Sequence, residues 1–183
     1  FVVKGGYFLT FFLIFVLFAG MHELITVFKN KKSILFLSLI LILSLSSIYY
    51  LSGRSDYILY FAIAVTVSSD IGGYVFGKIF KWKKLTKISP KKTISGVFGS
   101  YFFSIICLFI LSEFYSYGQA TSKNFFITII FSTVAQLGDL IISYFKRLEK
   151  IKDTGKILPG HGGIFDRIDG LMFVVILAAA LSF

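Results

Sequence analysis

Chain breakers and cross-links are scarce in this sequence. Two prolines and no Ser/Gly-rich linker leave no signal for a domain boundary, so residues 1–183 read as a single integral membrane domain. The one cysteine, Cys107, lies in an apolar run; an internal disulfide is excluded and no redox role follows. Two histidines, His22 and His161, and that cysteine supply no nucleophile–base–acid triad. Strand-length alternation with turn signals is absent, which argues against a β-barrel, and there is no internal repeat. Acids number nine against 19 basic residues.

Apolar residues are abundant. The chain is 56% hydrophobic, and its mean hydropathy of +0.84 belongs to an integral membrane protein. A spanning helix needs about 20 mostly apolar residues. Six runs qualify, at 7–28, 33–51, 57–79, 95–112, 123–145 and 166–183, so the expected fold is an all-α polytopic transmembrane helical bundle. The first run has no small-residue cleavage site after it and reads as a retained span, not a signal peptide. The chain starts on Phe1 rather than Met and is expected to be part of a longer protein.

Alternating spans divide the basic residues unevenly. Sixteen of the 19 fall on one side: Lys29 to Lys32, seven lysines from Lys78 to Lys92, and the cluster from Lys146 to Arg167. Only Lys4, Arg54 and Lys123 fall on the other. The positive-inside rule makes the rich side cytoplasmic.

Two acids, Asp70 and Asp139, lie inside apolar runs, where each costs about 2.5–3.5 kcal/mol on insertion scales. Ser132, Gln136, Asp139, Ser143 and Arg147 recur at helical spacing and predict one polar stripe rising to the cytoplasmic end, like the wall of a water-filled cavity. Asp166 and Asp169, three apart, share a face of the last span. Glu23 is read either as a member of the same cavity or as an interfacial acid beside His22. Gly73 and Gly77 predict close helix packing.

The stretch KDTGKILPGHGGIFDRIDG, residues 152–170, has five glycines in nineteen positions. Gly160, Gly162 and Gly163 permit positive φ and expose successive N–H groups, which together with a helix starting near Ile164 favour an anion. Lys146, Arg147, Lys152 and Lys156 lie just upstream and also favour phosphate. Asp139, Asp153, Asp166 and Asp169 instead suit Mg²⁺, which bridges carboxylates to phosphates. Cations for phosphate beside carboxylates for metal indicate phosphoryl or nucleotidyl transfer. The lysine loop 78–92 repeats the theme, as point charges for a triphosphate. Trp82 is read as an interfacial aromatic or a base-stacking one, and His161 as a brace of the glycine turn or a substrate contact.

These residues resemble the bacterial phosphatidate cytidylyltransferases, the CDP-diacylglycerol synthases. That family's C-terminal signature runs Ser, Lys-Arg, Lys-Asp, Gly, Pro-x-His-Gly-Gly, Asp-Arg-x-Asp; here SYFKRLEKIKDTGKILPGHGGIFDRID, residues 143–169, follows it without a gap. SDIGGYVFGKIFKWKKLTKISPKKTISG, residues 69–96, resembles the upstream block. The similarity covers residues 60–175, and relative to the family the chain is expected to lack one N-terminal span. It departs at Ile71-Gly72-Gly73, where many members have Thr-Gly-Ala, and at Ser95, where many have Glu. The resemblance implies Mg²⁺-dependent conversion of CTP and phosphatidate to CDP-diacylglycerol and pyrophosphate, in phospholipid biosynthesis. It implies Asp139, Asp166, Lys146 and Arg167 as catalytic residues and Asp139, Asp166 and Asp169 as metal ligands. Asp70, Lys91, Lys92, Ser143, Arg147, Lys152, Gly160, His161, Gly162 and Gly163 are the implied substrate contacts. The expected setting is a multi-pass protein of the inner (plasma) membrane with its site on the cytoplasmic face and no nucleic-acid partner. A homodimer and a second metal ion are left open, as is CTP-dependent transfer to another lipid phosphate. A small transporter would account for Asp70 and Asp139 but not for the glycine and lysine segments. Asp169-Gly170 is not followed by Ala-Arg, which argues against the CDP-alcohol phosphotransferases.

Overall fold

A computed structural model describes residues 6–54, 56–86, 88–114, 121–155 and 162–182. Among these residues six helices follow in chain order: α1 (Gly6–Val27), α2 (Lys31–Arg54), α3 (Asp56–Phe80), α4 (Ile94–Phe114), α5 (Ser122–Leu148) and α6 (Phe165–Leu181). They match the six expected runs, and no strand is found among the described residues. Helices α1 to α5 are long and apolar enough to cross a bilayer, with mean hydropathy of 1.5 to 2.3 over their best windows. Helix α6 has 17 residues, about 25 Å at 1.5 Å per residue, the short end of the spanning range. The outward faces carry Phe8, Phe11, Phe15 and Phe18 on α1, Leu35 and Leu39 on α2, and Phe98, Phe102 and Phe109 on α4. Apolar surface on that scale is what lipid, not water, covers.

Helix α6 is the centre of the bundle. Its Phe165 and Met172 pack with Leu9, Leu24, Leu37, Leu41 and Ile142 on one side. Its Val174, Val175 and Ala178 pack with Leu59, Ala62, Val65, Phe131 and Ala135 on the other. Burial on both sides explains why the last run is apolar all round below its acidic first turn.

Helices α3 and α4 approach most closely, and glycine makes this possible. Gly73 and Gly77 do line the contact, against Ser100 and Thr93. The tightest point is one residue over: a Cβ at Gly72 would collide with the backbone oxygen of Gly99, and one at Gly99 with that of Gly72. A polar side chain ties the same helices together, Ser100 Oγ donating to the Ser69 carbonyl at 2.8 Å, and Ser69 Oγ links α3 to α5, lying 2.9 Å from Ser132 Oγ. Gly72→Ala is therefore expected to lower the melting temperature in detergent markedly, through an overpacking cost of about 1–3 kcal/mol. Gly53→Ala, where a Cβ meets nothing within 4 Å, is the matched control and should be neutral. An unchanged melting temperature for Gly72→Ala would contradict this packing.

Two connections carry the polar chemistry. Residues 81–93 fold back on themselves: Leu85 N donates to the Lys92 carbonyl at 2.8 Å and Ile94 N to the Lys83 carbonyl at 3.0 Å. The turn closes as Lys92 N donates to the Ser89 carbonyl at 3.0 Å, around Pro90. This returns Lys91 and Lys92 to the start of α4. At the end of α5, Lys150 takes positive φ of 59° and turns the chain toward residues 151–164.

Candidate active site

A cavity of about 370 Å³ opens where α3, α4, α5 and α6 meet the folded-back lysine loop. Its wall contains Asp70 from α3, Asp139 from α5, Asp166 and Asp169 from α6, and Lys91 and Lys92 from the folded-back loop. Six of the sequence-derived candidates, drawn from four separate segments, thus face one space. The helical spacing that predicted the α5 stripe is the reason Gln136 and Asp139 face it together.

The charges are partly matched. Lys92 Nζ lies 2.6 Å from Asp139 Oδ2 and donates to the Gln136 carbonyl at 3.3 Å. Ser143 Oγ donates to Asp139 Oδ1 at 3.2 Å, which holds that carboxylate from the next turn. Lys146 Nζ lies 2.8 Å from Asp166 Oδ1, with both side chains 10% exposed. The other oxygen of Asp166 accepts from Thr154 N at 2.8 Å and Gly163 N at 3.1 Å. Asp169 Oδ1 accepts from Gly170 N at 2.8 Å. Among the described residues neither Asp70 nor Asp169 has a cation within ion-pair distance. Both are near enough to Asp139 to feel its charge. Three carboxylates in mutual repulsion beside lysines form a site whose field is balanced by an added cation.

The donor chemistry suits a hard metal. Apart from the Tyr74 phenol, the titratable wall is carboxylate and ammonium, with no histidine or cysteine among the described residues. Among the described residues no three His, Cys, Asp or Glu side chains converge into a closed cage. Mg²⁺ commonly takes one or two carboxylates and completes its shell with water and substrate phosphates, so this open set fits it.

Other expected contacts fall elsewhere. Arg147 leaves the stripe: its Nε donates to the Ile88 carbonyl at 3.3 Å and Nη1 to the Ile151 carbonyl at 2.8 Å, tying the lysine loop to the end of α5. Its donors are taken by one carbonyl of the lysine loop and one just past the end of α5. Lys152 is exposed and lines a separate groove with His22, Thr26 and Asp153. Arg167 is exposed and is not in the cavity wall. Gly162 has the expected positive φ, 87°, but the Gly163 N–H is already spent on Asp166, so the anion cradle expected there is occupied by the protein's own carboxylate. Gly160, His161 and Lys156 lie outside the described residues. Trp82 makes edge contacts with Phe80 and Phe98, an aromatic cluster outside the cavity wall. Glu23 is not in the cavity wall; it is 1% exposed and stands beside His22 at the base of the groove that Lys152 lines. Thr154, whose N–H holds Asp166, was missed, since a backbone donor leaves no signature in residue type. Ser95 is buried, with its Oγ 3.0 Å from Thr93 Oγ1 at the start of α4.

A family model described as Cytidylyltransferase family matches residues 34–183. A phosphatidate cytidylyltransferase of Staphylococcus haemolyticus is 44% identical over 131 residues, covering 69% of this chain and 50% of that protein. Proteins of the same name from Staphylococcus epidermidis and Staphylococcus aureus are 42% identical over 130 residues and 43% over 131, with the same shares covered. The chain spans about half the length of the curated relatives it matches.

Proposed function

The chain belongs to the cytidylyltransferase family, and from that premise we propose that it transfers the cytidylyl group of CTP to phosphatidate, forming CDP-diacylglycerol and pyrophosphate. The single observation that carries this reading is the gathering of four aspartates and two loop lysines around one cavity at the end of a membrane bundle. The nucleophile is a phosphate monoester oxygen of the lipid, whose second pKa near 6 leaves it largely ionised at neutral pH. It attacks the α-phosphorus of CTP. A new P–O bond forms there, the bond to the bridging oxygen breaks, and pyrophosphate leaves with that electron pair. No proton has to be removed from the nucleophile, in keeping with the absence of a triad.

The chain's own residues position and neutralise. Lys91 and Lys92 hold the triphosphate from the loop side, and Lys146 supplies a third cation beside Asp166. One or two of Asp139, Asp166 and Asp169 would hold Mg²⁺, and Asp70 extends the same anionic wall. Bound Mg²⁺ supplies charge neutralisation for the phosphate oxygens and fixes their orientation. Ser143 keeps Asp139 in its rotamer. The apolar outer surface leaves the lipid's acyl chains in the bilayer while its phosphate reaches the cavity. The excess of basic residues at this end supports a cytoplasmic site in a bacterial plasma membrane, where CTP is available. The family signature over residues 60–175 lies within this one membrane unit.

Purified protein in mixed micelles, given labelled CTP, Mg²⁺ and phosphatidate, should yield a labelled CDP-lipid. Phosphatidate should be used at least tenfold better than an isoprenoid monophosphate of similar length. Preference for the isoprenoid would move the reading to a different lipid phosphate; no nucleotide-linked lipid from either would refute it.

A further inference from the structure

We propose that Glu23 of α1 is a positioning residue of this site: its buried carboxylate clamps the backbone of the α5–α6 connection and so sets where Asp166 stands. Its role in turnover rests on the function proposed above; the clamp itself does not. Glu23 precedes residues 34–183, which the family model matches, so membership assigns it nothing.

The side chain is 1% exposed. Its Oε1 accepts from Ile164 N at 2.8 Å, and its Oε2 accepts from Phe165 N at 3.1 Å and from Thr154 Oγ1 at 3.3 Å. Helix α6 needs this help. Its N-cap is Ile164, which makes no side-chain cap bond, because isoleucine has no acceptor. The orphan N–H groups of the first turn and the positive end of the helix dipole are met by a carboxylate from another helix. Glycines make room for it: a Cβ at Gly163 would stand 2.7 Å from Glu23 Oε2, and one at Gly155 would stand 2.8 Å from Oε1.

The same short segments hold Asp166 on their other side. Thr154 gives its hydroxyl to Glu23 and its N–H to Asp166 Oδ2. Gly163, next to Ile164, gives its N–H to that same oxygen. Residues 154 and 163–165 are therefore strung between two carboxylates, one buried and one facing the cavity. Among the described residues no cation pairs with Glu23. A buried carboxylate without a counter-ion persists only where donors satisfy it, and here those donors are the segments that place Asp166.

Glu23→Gln keeps the shape but turns an NH₂ group toward backbone N–H donors. Amide hydrogen exchange should speed up at least about tenfold in residues 154–166 and stay unchanged in α2 to α4. The kcat should fall about 10–100-fold, as for residues that orient ligating groups, with KM for CTP within about threefold. Thr154→Val, which removes the hydroxyl donor but keeps the N–H to Asp166, should show a smaller change in the same direction and serves if Glu23→Gln does not fold. Normal exchange in 154–166 in the folded variants would overturn the clamp. So would loss of protection throughout the bundle, which marks a merely structural residue. Faster local exchange with unchanged kcat would overturn the link to Asp166. If the unsubstituted protein forms no CDP-lipid, the function fails, and exchange still decides the clamp.

Discussion

Asp139→Asn is expected to abolish CDP-lipid formation, a loss of at least about 10³-fold, while the protein folds and extracts normally. Asparagine keeps the size and can still accept from Ser143 Oγ, which now bonds Asp139 Oδ1. It removes the anionic oxygen that a hard metal needs and the charge facing Lys92, 2.6 Å away. That ion pair is partly open, its side chains 23% and 28% exposed, so its loss should lower the melting temperature little. Asp166→Asn should also abolish turnover but with a different stability signature. Asp166 satisfies Lys146 and two backbone N–H groups in a pair only 10% exposed. Removing one partner of a buried pair strands the other, at about 3–5 kcal/mol. A membrane acid read from sequence alone looks like a burden whose removal stabilises; with Lys146 in place, removal destabilises. The double variant should turn over no more slowly than either single one, because residues acting as a unit are not additive. CDP-lipid formation across a Mg²⁺ titration, with thermal melting beside it, checks both. Near-normal activity in Asp139→Asn at ordinary Mg²⁺ would leave Asp139 as a structural partner of Lys92 alone.

Replacing Lys91 and Lys92 together by Gln should cut kcat/KM for CTP by roughly 10–100-fold, the worth of one or two charge-assisted hydrogen bonds. The backbone ladder of the loop uses the Lys92 carbonyl and N–H, not its side chain, so the loop should keep its fold. Phosphatidate binding to the micelle-embedded protein should be unaffected. Unchanged kinetics would reduce the loop to a topological signal and an anchor for anionic lipid.

Local rules made much of this legible. The six apolar runs gave the helices, and the 4-3-4 spacing through Ser132, Gln136, Asp139 and Ser143 put Asp139 on a polar face, because helical period is a property of the segment itself. The same period misplaced Arg147, since beside the end of α5 the carbonyls of Ile88, in the lysine loop, and of Ile151 compete for a long side chain. Gly73 and Gly77 pointed to the α3–α4 contact, but the closest approach through Gly72 and Gly99 depends on the rotation of one helix about another. Lys152 and Arg167 were named for their neighbours in sequence, and the turn at Lys150 and the twist of α6 carry them away from the cavity. Glu23 was the least legible. Its partners are backbone N–H groups 141 and 142 positions away, and backbone donors carry no residue signature.

The central claim is nucleotidyl transfer at this cavity, and its most direct test follows two phosphorus labels through one reaction. CTP labelled at the α-phosphorus and CTP labelled at the γ-phosphorus are each incubated with the protein, Mg²⁺ and phosphatidate, and the lipid and aqueous phases are separated. Attack at the α-phosphorus places the α-label in the lipid and the γ-label wholly in pyrophosphate, one for one. A γ-label in the lipid, or α-label retained in CDP in the water phase, would mean phosphoryl transfer or hydrolysis and would contradict the mechanism.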